Sequence, residues 1–188
     1  MSKITDNDVN LRLIEKINLV EENYGKNFSN TQKILMTTDG SITAILDVLH
    51  GKIDLKTLEQ HFEDATAESA ELVNVNPGDE VNFREIIMHK DDQPLIYAIS
   101  YIPLKRLSQE IKDDLVRADI PIGRILKKYN VESRREINQI KIEKANDKLI
   151  EVYNTDEDFL ARDYTIITNG EILMWIKEYF PISYFTEK

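Results

Sequence analysis

Two segments of this sequence share the same residue spacing and the same ending, and both have the pattern of a β-hairpin. One runs from Arg84 to Pro103 and the other from Arg162 to Pro181, so each proline lies 19 positions after its arginine. Each segment reads as a strand, a polar turn and a second strand that ends in Tyr-x-Pro. Two hairpins of equal length predict two similar halves of one antiparallel sheet.

One residue of the second hairpin does not fit a plain strand. Alternate side chains of a strand share a face, and the set that contains Glu178 is otherwise apolar: Ile172, Met174, Ile176 and Phe180. Burying an unpaired carboxylate on such a face is expensive. In the register of the two hairpins the position equivalent to Glu178 is Ser100, so the hairpin itself does not require an acid. We therefore expect another reason for Glu178.

Arg84 raises the matching question in the first hairpin. It shares a predicted strand face with Ile86 and Met88, and a guanidinium is well suited to a forked contact with a carboxylate. One interpretation is a structural ion pair of Arg84 with Glu178 or with another acid. The other is a binding site for an acidic ligand. The residues alone leave both open.

Charge and composition exclude several classes of partner. The 188 residues carry a net charge of -10, which disfavours nucleic acid and anionic membranes, whereas an anionic small molecule would need locally placed arginines. The absence of cysteine excludes disulfides, thiolate metal sites and cysteine nucleophiles. The polar start lacks a signal-peptide core, and no apolar run approaches the roughly 20 residues of a membrane helix. We expect a cytoplasmic protein whose residues 1–188 form one domain.

The remaining segments predict helices before the first hairpin and strands around the second. Apolar spacing and capping signals predict helices over about residues 6–24, in FSNTQKILMTT and in DGSITAILDVLHG. A strand is favoured over residues 55–64. Between the hairpins, a short helix is expected to begin at Ile122 or Gly123, and INQIKIEKAN and KLIEVYNT are interpreted as strands.

Other candidates for chemistry are weaker. DGSITAIL places hydroxyls and free N–H groups at a helix start, which suits either an anion or plain helix capping. PIGR permits either close approach of a ligand or a tight turn. Arg134 and Arg135 are expected to be solvated or paired with neighbouring glutamates. His50, His61 and His89 lack metal-ligand spacing, which indicates surface or turn positions and no metal site.

Three segments together resemble the chorismate–pyruvate lyases of the archaeal and actinobacterial branch. They are LVNVNPGDEVNFREIIMHKDDQPLIYAISYIP, IPIGRILKKYNVESRREI and NGEILMWIKEYFPISYF, and the similarity runs from about Lys33 to Phe185. The resemblance implies an α+β fold in which one antiparallel sheet of about six strands and its flanking helices enclose a buried ligand pocket. It implies elimination of pyruvate from chorismate, giving 4-hydroxybenzoate, with an anionic small molecule as substrate and with no metal or organic cofactor.

The same resemblance assigns the site residues. The family's carboxylate-binding arginine corresponds to Arg84, and its ligand-facing glutamate corresponds to Glu178. Two backbone contacts with the ring carboxylate fall on Ile42 and Ile122. Arg84 is thus expected to orient the substrate, and Glu178 to lie at the para end of the ring. There Glu178 would hydrogen-bond the C4 hydroxyl and either transfer the proton or position the group that does.

Two other functions remain open at this point. Ligand-sensing domains of some transcription regulators have the same fold and would bind an effector in the pocket without reacting with it. Such a regulator is expected to carry a DNA-binding domain ahead of the sheet, and the resemblance already uses most residues before the first hairpin. The third alternative is a lyase that acts on another enolpyruvyl substrate.

Overall fold

A computed structural model of the chain describes residues 9–117 and 120–186 and contains one antiparallel sheet of six strands, in the order β1-β2-β3-β6-β5-β4. The strands are β1 (Asp54–Asp64), β2 (Glu80–Lys90), β3 (Gln93–Pro103), β4 (Arg134–Glu143), β5 (Phe159–Thr168) and β6 (Glu171–Pro181). The helices are α1 (Val9–Tyr24), α2 (Asn30–Thr37), α3 (Ile42–His50), α4 (Ala67–Val73), α5 (Gln109–Arg117), α6 (Ile122–Lys128) and α7 (Asp147–Tyr153), with a 3-10 turn at Leu104–Arg106.

The sheet consists of two similar halves, as the repeated hairpins predict. Each half is a strand, a helix and a hairpin: β1-α4-β2-β3 and β4-α7-β5-β6. Arg84 lies opposite Ser100 in the first hairpin, and Arg162 lies opposite Glu178 in the second. The halves meet where β3 pairs with β6, and the cross-strand pair Ile99–Lys177 joins two residues that are 78 positions apart. A pseudo-twofold axis therefore passes through this pair.

The two hairpins also share their irregularities. Each contains a β-bulge, with Leu95 as the extra residue of β3 and Leu173 as the extra residue of β6, again 78 positions apart. A bulge shifts the alternation of side chains by one residue. The simple alternation predicts that Ile172 shares the face of Glu178. Because of the bulge, Ile172 instead packs beside Trp175 on the opposite face.

Helices cover both faces of the sheet. We call the face that carries Arg84 and Glu178 the inner face; α1, α2, α3, α5 and α6 pack against it, and α4 and α7 pack against the outer face. Burying one large apolar side chain stabilises a fold by about 1.5–3 kcal/mol, and the inner core contains many of them. Its fully buried members include Leu35, Met36, Leu46, Ile96, Ile102, Ile125, Leu160 and Phe180.

The sequence interpretation of KLIEVYNT as a strand is wrong. These residues form α7, because the side chain of Asn146 caps the helix by accepting a hydrogen bond from the Leu149 N–H at 2.9 Å. The helix ends at Asn154, which has a left-handed φ of 52°. The strand over 55–64 and the helix start at Ile122 are confirmed. Helices α4 and α5 were not predicted, and residues 6–8 of the first predicted helix lie outside the described residues.

Among residues 9–117 and 120–186, no helix has both the length and the apolar character needed to cross a membrane.

Candidate active site

A cavity lies between the inner face of the sheet and the first turns of α3 and α6. Its empty volume, mouth included, is about 520 Å³. Five strands contribute to its floor, and half of the side chains there are apolar. The lining residues from the sheet are Arg84, Ile86, Met88, Ala98, Ser100, Arg135, Tyr164, Ile166, Ile176 and Glu178.

Arg84 occupies one side of this cavity. It belongs to β2 and is only 1% exposed. Its Nη2 donates to Thr57 Oγ1 of β1 at 3.1 Å, and its Nη1 donates to the Ile120 carbonyl oxygen at 3.3 Å. The residue opposite in β3, Ser100, is small and also lines the cavity. The guanidinium is therefore fixed by its neighbours, and Arg84 is one of the residues that line the cavity.

Glu178 occupies the other half of the sheet and makes a buried ion pair. Arg162 Nε lies 2.8 Å from Glu178 Oε2, and the exposed fractions of the two side chains are 0% and 2%. Arg162 Nη1 also donates to the Thr38 carbonyl oxygen at 2.9 Å. The ion pair connects two directly opposed residues of β5 and β6. This ion pair explains how an acid can be buried on a largely apolar face, because the charge of Glu178 is balanced by a neighbouring arginine.

Tyr164 completes the surroundings of Glu178. Its hydroxyl donates to Glu178 Oε1 at 3.0 Å, and its ring lies beneath the Arg162 guanidinium at 4.9 Å. Burial, together with the negative charge of Glu178, raises the pKa of Tyr164 well above its ordinary value of 10.0. The hydroxyl therefore remains protonated at neutral pH and acts as a hydrogen-bond donor. Each oxygen of Glu178 thus accepts one hydrogen bond.

The two isoleucines assigned by resemblance also line this cavity. Ile42 is the first residue of α3 and Ile122 is the first residue of α6. The first N–H groups of a helix have no carbonyl partner within the helix and favour anions. An ion pair connects the two helices, with Arg124 Nη2 2.9 Å from Asp47 Oδ2. The structure therefore brings Arg84, Glu178, Ile42 and Ile122 to one place.

Three other residues of the cavity region were not identified as site residues from the sequence. From the sequence, Arg162 was interpreted only as the start of the second hairpin, although the register of that hairpin would have placed it opposite Glu178. Tyr164 lies two residues later on the same strand face, which is the signal that could have found it. Arg135, expected to be solvated or paired with a glutamate, lines the cavity and donates to the Asp39 carbonyl oxygen at 3.1 Å.

The histidines lie elsewhere. His50 is in the last turn of α3, His61 is exposed between Glu59 and Glu63, and His89 adjoins the turn of the first hairpin. Within the part of the chain that the structure describes, no group of three or more histidine, aspartate or glutamate side chains is arranged to hold a metal ion.

Solved structures with this fold include the ligand-binding domain of a putative GntR-family transcriptional regulator from Bordetella bronchiseptica, which superposes with a TM-score of 0.58, covering 70% of this chain and 86% of that chain at 15% identity. The effector domain of PhnF from Mycobacterium smegmatis superposes with a TM-score of 0.62, covering 76% of this chain and 88% of that chain at 10% identity. At this level of identity the similarity concerns the fold alone.

Relatives by sequence indicate a lyase family. "Putative lyase MJ0807" of Methanocaldococcus jannaschii is 39% identical over 160 residues, which are 81% of this chain and 79% of that protein. "Probable chorismate pyruvate-lyase 1" of Burkholderia pseudomallei is 32% identical over 87 residues, 46% of this chain and 47% of its own length. Residues 36–187 match the family described as "Chorismate pyruvate-lyase Rv2949c-like". The chain belongs to the Rv2949c-like chorismate pyruvate-lyase family.

Proposed function

We propose that this protein eliminates pyruvate from chorismate and produces 4-hydroxybenzoate. The observation that carries the proposal is one cavity in which a buried arginine and a buried glutamate, Arg84 and Glu178, face an otherwise largely apolar floor. Chorismate has a carboxylate on ring carbon one, an enolpyruvyl ether on carbon three, and a hydroxyl and a hydrogen on carbon four. Its ring carboxylate is thus separated from the C4 hydroxyl by the ring, and in the sheet Arg84 is separated from Glu178 by the intervening strand β3.

The reaction balances without an oxidant or a reductant. The C4–H bond and the ether bond between C3 and oxygen break, and the remaining electron pair of the C4–H bond makes the ring aromatic. The released enolpyruvate takes up one proton on its methylene carbon and becomes pyruvate. The formation of an aromatic ring drives the elimination. What the protein has to supply is orientation of the substrate and transfer of one proton.

In this proposal Arg84 binds the ring carboxylate. The first N–H groups of α3 and α6, at Ile42 and Ile122, provide further donors to the same anion. A carboxylate held by a guanidinium and backbone donors is fixed in both position and direction. This orientation directs carbon four toward Glu178, which lies on β6 beyond the intervening strand β3.

Glu178 acts at the C4 end of the ring. Its two oxygens each accept one hydrogen bond from the protein, from Arg162 and from Tyr164, and a carboxylate oxygen can accept two. Glu178 can therefore accept a hydrogen bond from the C4 hydroxyl, and it either takes the C4 proton or positions the group that does. Arg162 acts through Glu178 and is a positioning residue.

A second candidate is binding of an effector without reaction, which the fold similarity to the ligand-binding domain of a transcriptional regulator favours. Such a protein would hold its ligand in the same cavity and release it unchanged. A lyase that acts on a different enolpyruvyl substrate is the third candidate, and it would release pyruvate together with another ring product. The products that form from chorismate distinguish the three candidate functions.

Purified protein incubated with chorismate is expected to release pyruvate and 4-hydroxybenzoate in equal amounts, as measured by chromatography. The rate is expected to be unchanged after exhaustive chelation, because the proposed residues supply both orientation and proton transfer. A Glu178→Ala variant controls for spontaneous breakdown of chorismate. Chorismate that binds but is recovered intact would support the effector-binding alternative, and activity restored only by added metal would contradict the mechanism.

Replacing Arg84 by glutamine is expected to weaken binding more than it slows the reaction. The ring carboxylate is present in substrate, transition state and product, so KM for chorismate should rise and affinity for 4-hydroxybenzoate should fall. Losing a charge-assisted contact of this kind costs about 2–5 kcal/mol. Calorimetry with 4-hydroxybenzoate measures the effect, and Arg134→Gln, at an exposed arginine, is the control. Unchanged affinity for 4-hydroxybenzoate would show that Arg84 does not bind this carboxylate.

A further inference from the structure

Arg135 places a second cation at the cavity, on the side opposite Arg84. Arg84 lies on β2 and Arg135 on the edge strand β4, with β3, β6 and β5 between them. Neighbouring strands are about 4.8 Å apart, so the two backbones are separated by about 19 Å. Both side chains nevertheless line the same cavity. Two long arginine side chains thus reach toward one ligand space from its two sides, with Glu178 on a strand between them.

The guanidinium of Arg135 lies where α3 and α6 begin. Its Nη1 donates to the Asp39 carbonyl oxygen just before α3. A Cβ atom placed on Gly123, the second residue of α6, would lie 3.8 Å from Arg135 Nη2 and 3.4 Å from Ser41 Oγ. The lack of a side chain at Gly123 therefore leaves space directly beside this guanidinium. Arginine has five N–H donors, and the bond to Asp39 uses one of them.

Chorismate carries two carboxylates, and only one of them is accounted for by Arg84. The second belongs to the enolpyruvyl group, and placing it unpaired against an apolar wall would be costly. We propose that Arg135 binds this second carboxylate, an inference that rests on the proposed function. Across the sheet the order is then Arg84, Glu178, Arg135. In the substrate, carbon three, where the ether bond breaks, lies on the bonded path between the ring carboxylate and the enolpyruvyl carboxylate, and carbon four is bonded to it.

The assignment has a consequence for the products. After elimination 4-hydroxybenzoate retains only the carboxylate that Arg84 holds, whereas pyruvate retains the one that Arg135 holds. Arg135 therefore distinguishes substrate from aromatic product, and Arg84 does not. Arg135 is partly buried, whereas Arg84 is only 1% exposed, so the side chain proposed to hold the pyruvate end is the more accessible of the two.

A pair of aromatic ligands tests the inference without turnover. The first is 3-(carboxymethoxy)-4-hydroxybenzoate, which carries a second carboxylate on an ether at ring carbon three. The second is 3-methoxy-4-hydroxybenzoate, which has the same ether without that carboxylate. The ratio of their dissociation constants, measured by calorimetry, isolates the contribution of the second carboxylate. The wild-type protein is expected to bind the dicarboxylate about tenfold tighter or more, as for a charge-assisted hydrogen bond.

In Arg135→Gln this preference is expected to fall to near onefold, while affinity for 4-hydroxybenzoate changes less than about threefold. Arg134→Gln, the neighbouring arginine that pairs with Glu136, should keep the wild-type ratio. An unchanged ratio in Arg135→Gln, or an equal loss of affinity for all three ligands, would overturn the inference. If the wild-type protein converts chorismate but shows no preference for the dicarboxylate, this inference is refuted and the proposed function is not. If the protein prefers the dicarboxylate in a way that depends on Arg135 but never converts chorismate, only the proposed function is refuted.

Discussion

The variant Glu178→Gln is expected to lower kcat for chorismate by roughly 10²–10⁴-fold, which is the usual contribution of a positioned general acid or base. Glutamine has nearly the same shape: its one side-chain oxygen can accept the hydrogen bond from Arg162, and its NH2 group can donate to the Tyr164 hydroxyl oxygen, so the cavity should keep its form. Its amide cannot take up the C4 proton. KM should change less than kcat, because the group acts where the bonds change rather than where the substrate is anchored. Steady-state kinetics with chorismate measures both constants.

Two further measurements make this result specific. Affinity for 4-hydroxybenzoate should stay within a small factor of wild type in Glu178→Gln, which shows that the cavity is intact. Glu171→Gln, at an exposed glutamate in the first position of β6, should leave kcat unchanged. Near-normal kcat in Glu178→Gln would mean that the residue positions the substrate by a hydrogen bond and transfers no proton. Full activity in Glu178→Ala would exclude both roles.

The variant Arg162→Met is expected to lower the free energy of unfolding by about 3–5 kcal/mol, as is typical when one partner of a buried ion pair is removed. The guanidinium is fully buried and holds both Glu178 and the carbonyl oxygen of Thr38. Without it the carboxylate of Glu178 remains buried with Tyr164 as its hydrogen-bond donor but with its countercharge removed. Urea denaturation followed by circular dichroism measures the loss.

The double variant Arg162→Met with Glu178→Met separates charge from packing. Replacing a whole buried ion pair by apolar residues of similar size is often neutral or stabilising, so the double variant should recover most of the lost stability. It should remain inactive, since Glu178 is absent. If single and double variants are equally unstable, the cost lies in packing of Arg162 and in the lost bond to Thr38, and the ion pair with Glu178 has little effect on stability.

The sheet could largely be predicted from the sequence because its repeat is visible in single residues. Arg84 with Pro103, and Arg162 with Pro181, mark the ends of two hairpins whose lengths agree, and pairing within a hairpin is local. Helix α7 could not be predicted as readily. Its seven residues contain apolar side chains that satisfy strand and helix spacing alike, and the cap at Asn146 decides between them. The bulges that move Ile172 off its expected face leave no clear mark in the sequence.

The candidate site was predictable where a charge interrupts an apolar strand face. Arg84 and Glu178 both stand out in this way, and the resemblance to a family added Ile42 and Ile122. The partner of Glu178 was harder to identify, because it depends on which strands pair and in which register. Arg162 lies opposite Glu178 only once β5 and β6 are aligned. Arg135 reaches the cavity from an edge strand, a placement that depends on how α3 and α6 pack over the sheet.

The pseudo-twofold axis through Ile99 and Lys177 has a consequence for the orientation in which a ligand binds. A site with true twofold symmetry offers identical groups to a bound molecule and to the same molecule turned by 180°, so the two poses have equal energy. Because both halves belong to one polypeptide, position 100 can be serine while its counterpart, position 178, is glutamate. This difference, together with that between the counterparts Ile86 and Tyr164, removes the degeneracy. A duplicated scaffold thereby acquires a direction, and a molecule with two distinct ends binds in one preferred pose.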